Sequence, residues 1–135
     1  DGVARGFSDA STVSGLAAGD WTGDGALDVY AAGAHDTLYE NSGDGVFTVV
    51  WAAATDTHSG VVMLDIENDG DVDVVVGGVV WLNDGVYPLR DVAPQLALAD
   101  ASPFAGAGDI TGDGSLDLLT TAGTLFISNN ARPGL

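Results

Sequence analysis

The chain has 135 residues with 20 Asp plus Glu against three Arg and no Lys, a formal net charge of −17, no Cys, 20 Gly and 46% hydrophobic residues. So few cations cannot neutralise phosphates or an anionic bilayer, which argues against nucleic acid and an anionic membrane surface as partners; disulfides are impossible, and no run approaches the roughly 18 apolar residues of a membrane span, so no membrane insertion is expected. The length fits a single domain, residues 1–135, and the opening at Asp1 without a basic-then-apolar leader fits a mature or engineered fragment or a soluble intracellular protein.

Three copies of one unit follow in chain order after an N-terminal strand at 1–10, with approximate limits 11–50, 57–91 and 101–130. Each opens with a small-residue apolar strand (Val13 to Ala18, Gly60 to Met63, Phe104 to Ala107), then an acidic loop, then a second strand (Leu27 to Ala32, Val72 to Val76, Leu116 to Thr121) and a third (Thr37 to Tyr39, Val79 to Leu82, Thr124 to Ile127). After the third strand, Asn41-Ser-Gly-Asp-Gly45 and Asn83-Asp-Gly85 give a hairpin signal, and a fourth strand closes the unit at Val46 to Val50 and Val86 to Leu89. The first acids of the loops, Asp20, Asp65 and Asp109, lie 45 and 44 residues apart. Four short antiparallel strands at that period, with no helical periodicity, predict an all-β chain of propeller blades. Asp1-Gly2-Val3 matches Asp44-Gly45-Val46, and Asn129-Asn130 stands where the next hairpin turn would begin. The blades are therefore expected to be circularly offset, with one blade completed from both ends of the chain.

The loops read Asp20-Trp-Thr-Gly-Asp-Gly-Ala-Leu-Asp28, Asp65-Ile-Glu-Asn-Asp-Gly-Asp-Val-Asp73 and Asp109-Ile-Thr-Gly-Asp-Gly-Ser-Leu-Asp117, and they hold eleven of the twenty acids. Acids at positions 1, 5 and 9, an oxygen-bearing residue at 3 and Gly at 6 suit Ca²⁺, a hard cation that takes six to eight oxygens at about 2.3–2.6 Å. The expected side-chain ligands are Asp20, Thr22, Asp24 and Asp28; Asp65, Glu67, Asp69 and Asp73; and Asp109, Thr111, Asp113 and Asp117, with backbone carbonyls from Ala26, Asp71 and Ser115, making three sites. An EF-hand or dockerin loop needs an acid at position 12, where Ala31, Val76 and Thr120 stand. What survives is a loop between two strands. Asp-Gly clusters also serve simply as turns, and an acidic, Lys-free surface also suits a protein adapted to high salt.

The blocks Leu16 to Asp28 and Phe104 to Asp117, followed by Leu38-Tyr-Glu-Asn-Ser-Gly-Asp-Gly-Val-Phe47, resemble the FG-GAP/VCBS repeats of integrin-α-like β-propellers over nearly the whole chain. The resemblance implies that each loop joins the first two strands of a blade and holds one Ca²⁺. Thr22 and Thr111 stand where the family has Asn or Asp, and the second loop, with five acids, is expected to bind most tightly. Loops of this kind suit extracellular calcium, at about 10⁻⁴–10⁻³ M, which favours an extracellular or cell-surface location with any signal peptide removed or outside the chain. Calcium would act as a folding staple in place of disulfides.

Three blades are too few to close a ring, so the expected partner is a second copy giving a six-bladed homodimer, or neighbouring blades of a longer propeller. No enzyme is expected. His35 and His58 sit in loops without a spaced triad, and paired carboxylates occur only within the acidic loops. Candidate recognition segments are Gly33 to Asp36, Thr55 to Ser59, Gly77-Gly78 and Asp91 to Pro103. Trp21, Trp51 and Trp81 could stack on sugar rings, although strand-end tryptophans usually pack in a core. The function expected is a calcium-dependent recognition or adhesion module for a glycan or extracellular protein; the alternative is a structural subunit that assembles with itself.

Overall fold

A computed structural model describes residues 12–53, 58–85, 89–93 and 104–127. These residues form three antiparallel sheets and no helix. The first sheet runs β1 (Val13–Gly19), β2 (Asp28–Gly33), β3 (Thr37–Asn41), β4 (Phe47–Ala52), in that order across the sheet. The second contains β5 (Val61–Leu64), β6 (Asp73–Val76) and β7 (Val79–Trp81), and the third β8 (Phe104–Gly108), β9 (Asp117–Thr120) and β10 (Leu125–Phe126). The all-β expectation holds, with strand ends moved by one or two residues. The expected N-terminal strand and the Asn129-Asn130 turn lie outside the described residues.

The fourth strand of the middle unit was expected at Val86 to Leu89, of which only Leu89 is described, and Leu89 is not in a strand. Among the described residues an isolated antiparallel bridge joins Asp91 to Trp81. Its side chain does part of the pairing: the Asp91 carboxylate accepts the N–H groups of Val80 (3.2 Å) and Ala93 (2.9 Å), and Val92 N–H donates to the Val80 carbonyl (3.0 Å).

The first strands of the sheets lie side by side, β1 against β5 and β5 against β8. Small residues permit this approach: a Cβ added at Gly19 would come within 2.9 Å of Val72 and 3.1 Å of Met63. The middle sheet is covered on both faces, so β6, Asp-Val-Val-Val, is buried at every residue. Val74, Val76 and Trp81 pack toward Trp21, Tyr30, Ala32 and Leu38 of the first sheet, while Val75, Val80 and Leu82 pack toward Leu118 of the third. A continuous β-branched run is the pattern of a strand buried on both sides, and β-branching also favours the extended backbone. Because adjacent residues point to opposite faces, one strand supplies both hydrophobic cores.

Candidate functional site

Each acidic loop joins the first strand of its sheet to the second. The backbone is left-handed at positions 4 and 6 of all three: Gly23 and Gly25, Asn68 and Gly70, Gly112 and Gly114. Asn is one of the few side chains that tolerates this region, which accounts for Asn68 where the other loops have Gly. The loops thus share one fold despite their different sequences.

The acids at position 1 clasp the turn. Asp20 accepts the N–H groups of Asp24 and Gly25 (both 3.0 Å), Asp65 those of Asp69 (3.1 Å) and Gly70 (2.9 Å), and Asp109 those of Asp113 and Gly114 (both 3.0 Å). The acids at position 5 accept the N–H of position 7: Ala26 on Asp24 (2.8 Å), Asp71 on Asp69 (3.0 Å) and Ser115 on Asp113 (2.8 Å). Six carboxylates therefore point into their loops and are held there by main-chain donors. Thr22 and Thr111 are exposed and Glu67 is half-buried.

The acids at position 9 differ in kind. Asp28, Asp73 and Asp117 are buried, and each accepts from the start of its loop: Thr22 N–H on Asp28 (2.9 Å), Ile66 N–H on Asp73 (2.9 Å), Ile110 and Thr111 N–H on Asp117 (2.9 and 3.0 Å). In the first two sheets the other carboxylate oxygen accepts the N–H at the end of the third strand, Asn41 on Asp28 and Asn83 on Asp73, both at 2.8 Å. Burial pushes the Asp73 carboxyl up to about 6, helped by the nearby charges of Glu67 and Asp69 and opposed by its two backbone hydrogen bonds.

Among the described residues no three acidic or histidine side chains are gathered into a metal-holding group. The donor chemistry nevertheless fits a hard cation, since each loop offers oxygen ligands only. The third loop also buries the Ser115 hydroxyl with no hydrogen-bond partner among the described residues. An unsatisfied buried oxygen at position 7 is a place where a cation or water would be favourable.

The opposite ends of the strands hold a second polar cluster that the sequence reading missed. His58, which the sequence places only in a loop, has a side chain only 16% exposed, with Nδ1 2.5 Å from the buried Asp36 carboxylate. The same Asp36 oxygen accepts the Tyr30 hydroxyl (3.0 Å), whose oxygen accepts the Trp81 indole N–H (3.1 Å), and the other oxygen accepts Gly33 N–H (3.1 Å). A carboxylate buried away from water needs this many donors. His35 is exposed. Of the candidate recognition segments, 54–57 and 94–103 lie outside the described residues.

The tryptophans likewise face inward. Trp21 is buried between the first two sheets, Trp81 is buried, and Trp51 is half-buried with its ring 6.2 Å from Tyr30 and 5.5 Å from Trp81. Stacking on sugar is thereby closed to Trp21 and Trp81.

Residues 20–76 match the family model described as FG-GAP-like repeat. The chain carries an FG-GAP-like repeat. The matched FG-GAP-like segment starts at the first acid of the first loop and ends at the last residue of β6, so it includes both loops whose ninth-position acids bind the end of the third strand. The third loop lies beyond the matched residues but repeats their hydrogen-bond pattern. No curated protein matches the chain.

Proposed function

We propose that the three sheets are β-propeller blades of a calcium-binding, integrin-like repeat domain serving recognition or adhesion outside the cell. The observation that carries this reading is the recurrence, at the first turn of every sheet, of inward-facing carboxylates on a left-handed loop within an FG-GAP-like repeat protein. Such repeats are typical of extracellular proteins, and no helix among the described residues is long and apolar enough to cross a membrane. The residues that would hold the ions are Asp20, Thr22, Asp24, Ala26 and Asp28; Asp65, Glu67, Asp69, Asp71 and Asp73; and Asp109, Thr111, Asp113, Ser115 and Asp117. A bound Ca²⁺ would add positive charge and fixed coordination to loops otherwise held by hydrogen bonds from main-chain N–H groups to their carboxylates.

In this reading the domain is not an enzyme: the Asp36 and His58 side chains are committed to one another and to Tyr30 in the core. Protein ligands fit better than glycans, since two of the three tryptophans are buried. The test is a thermal melt with calcium and with chelator. The melting temperature is expected to fall by many degrees in chelator, and an unchanged melt overturns the calcium reading.

A second reading, self-assembly, is favoured by one observation. The cross-strand pairs Tyr30–Leu38 and Val75–Val80 occupy matching places in the first two sheets and are fully buried against the next sheet. The matching pair in the third sheet, Leu119–Leu125, is 37% exposed at both residues. A sheet from a second copy would cover it. Sedimentation in calcium is expected to show a dimer that Leu119→Glu dissociates; a monomer at all concentrations rejects this reading.

A further inference from the structure

The two asparagines that follow the third strands occupy equivalent places but have different partners. Asn41 turns its side-chain amide back onto the Leu27 carbonyl of its own sheet (3.1 Å). Asn83 instead reaches across to the first sheet and donates to the Trp21 carbonyl inside the first acidic loop (2.6 Å).

That contact completes a chain of hydrogen bonds between two buried carboxylates. In the second loop, Asp73 holds the Asn83 N–H (2.8 Å), and the Asn83 side chain holds the Trp21 carbonyl. The Trp21 carbonyl belongs to the same peptide group as the Thr22 N–H, which donates to Asp28 of the first loop (2.9 Å). A peptide group whose carbonyl accepts a hydrogen bond is a stronger donor through its N–H, so the Asn83 amide on the Trp21 carbonyl strengthens the Thr22 N–H that Asp28 accepts. Displacing Asp73 moves Asn83, and Asn83 moves the Trp21–Thr22 peptide that Asp28 binds. Trp21 itself is wedged between the sheets, so the loop backbone cannot shift independently of that contact.

We infer that Asn83 is a positioning residue that couples the first two acidic loops, so that a divalent cation in one alters the affinity of the other. Coupling of this kind is reciprocal and typically about 5-fold or more in affinity. The inference rests on the calcium reading for its ligand, although the hydrogen-bond chain exists without an ion.

The experiment follows the amide signals of Gly23 and Gly25, Gly70, and Gly112 and Gly114 by NMR during a CaCl₂ titration, one set for each loop. Asp69→Asn, which weakens the second loop, is expected to weaken binding at the first by about 5-fold and to leave the third within about 2-fold. In an Asn83→Ala background the same change should alter the first loop by less than about 2-fold. Asn83→Leu, similar in size and lacking the donor, should behave like Asn83→Ala and serves if truncation unfolds the chain. Asn41→Ala should leave the coupling intact.

A merely structural role for Asn83 predicts parallel weakening at all three loops; that result, or an unchanged first loop in Asp69→Asn, overturns the inference. If calcium shifts none of the signals, the calcium reading fails and the coupling is judged on the metal-free protein. There Asn83→Ala should speed hydrogen exchange at Asp24 and Gly25 by at least about 5-fold relative to Asp113 and Gly114, and equal exchange rejects it.

Discussion

Asp73 and Asp36 show how the same side chain serves two different purposes at opposite ends of one set of strands. Asp73 is buried among other acids, and its carboxyl is raised from 3.8 to about 6. A raised carboxyl means that the folded state holds its proton more tightly than the unfolded chain, so its contribution to stability is present below the unfolded value and is lost as pH rises. In chelator, the urea midpoint of the wild type is expected to fall relative to Asp73→Asn between about pH 4 and pH 6; parallel curves for the two proteins would refute the assignment. Asp36 lies against His58 and the Tyr30 hydroxyl instead. Asp36→Ala would leave these donors and the Gly33 N–H unpaired in the core, at a cost of about 3–5 kcal/mol, measurable by denaturant unfolding. A loss below about 1 kcal/mol would show that water replaces the carboxylate.

Among the elements, the strands were readable because hydrophobic runs and turn residues alternate at a short period, and β6 shows the limit of that reading. Val74, Val75 and Val76 announce a buried strand, but not which valine faces which neighbour, since that depends on sheets far away in sequence. Leu38 is fully buried at the junction of the first two sheets; Leu38→Ala is expected to cost about 2–5 kcal/mol, read from the unfolding midpoint at constant slope. The acidic loops were located from spacing alone. That the ninth acid is buried while the first and fifth clasp the turn was not readable, because the pattern treats every acid as an equivalent ligand. The His58–Asp36 contact escaped for a similar reason: the two residues are 22 positions apart and neither belongs to a motif. The tryptophans offered both readings, and burial decided between them.

For the molecule as a whole, the charge of −17 is distributed as three loops plus a remainder, and three divalent ions would cancel six of the 17 net negative charges. If dissociation constants lie at about 10⁻⁴–10⁻³ M, 10 mM calcium stabilises the fold by about 1.4–2.7 kcal/mol per site. Magnesium, which demands a smaller octahedral shell, should do much less at the same concentration. Calorimetry in calcium, magnesium and chelator checks this, and equal stabilisation by both ions would indicate charge screening rather than coordination.

The placement of the middle sheet has a consequence for the order of the repeats. Its two faces are unlike: Val74 and Val76 meet the bulky Tyr30 and Leu38, while Val75 and Val80 meet Leu118. Each junction is filled by its own combination of large and small side chains, with Trp81 also against Tyr30 and Leu38 at the first. Although the three units follow one pattern, they are not interchangeable parts. A shuffled chain would set Leu118 and Phe126 against Tyr30 and Leu38 in place of Val74 and Trp81, a larger side chain for a smaller and a smaller for a larger, and would lose the hydrogen bond from the Trp81 indole to the Tyr30 hydroxyl. The sequence differences between units act as an address that tells each sheet which neighbour to accept.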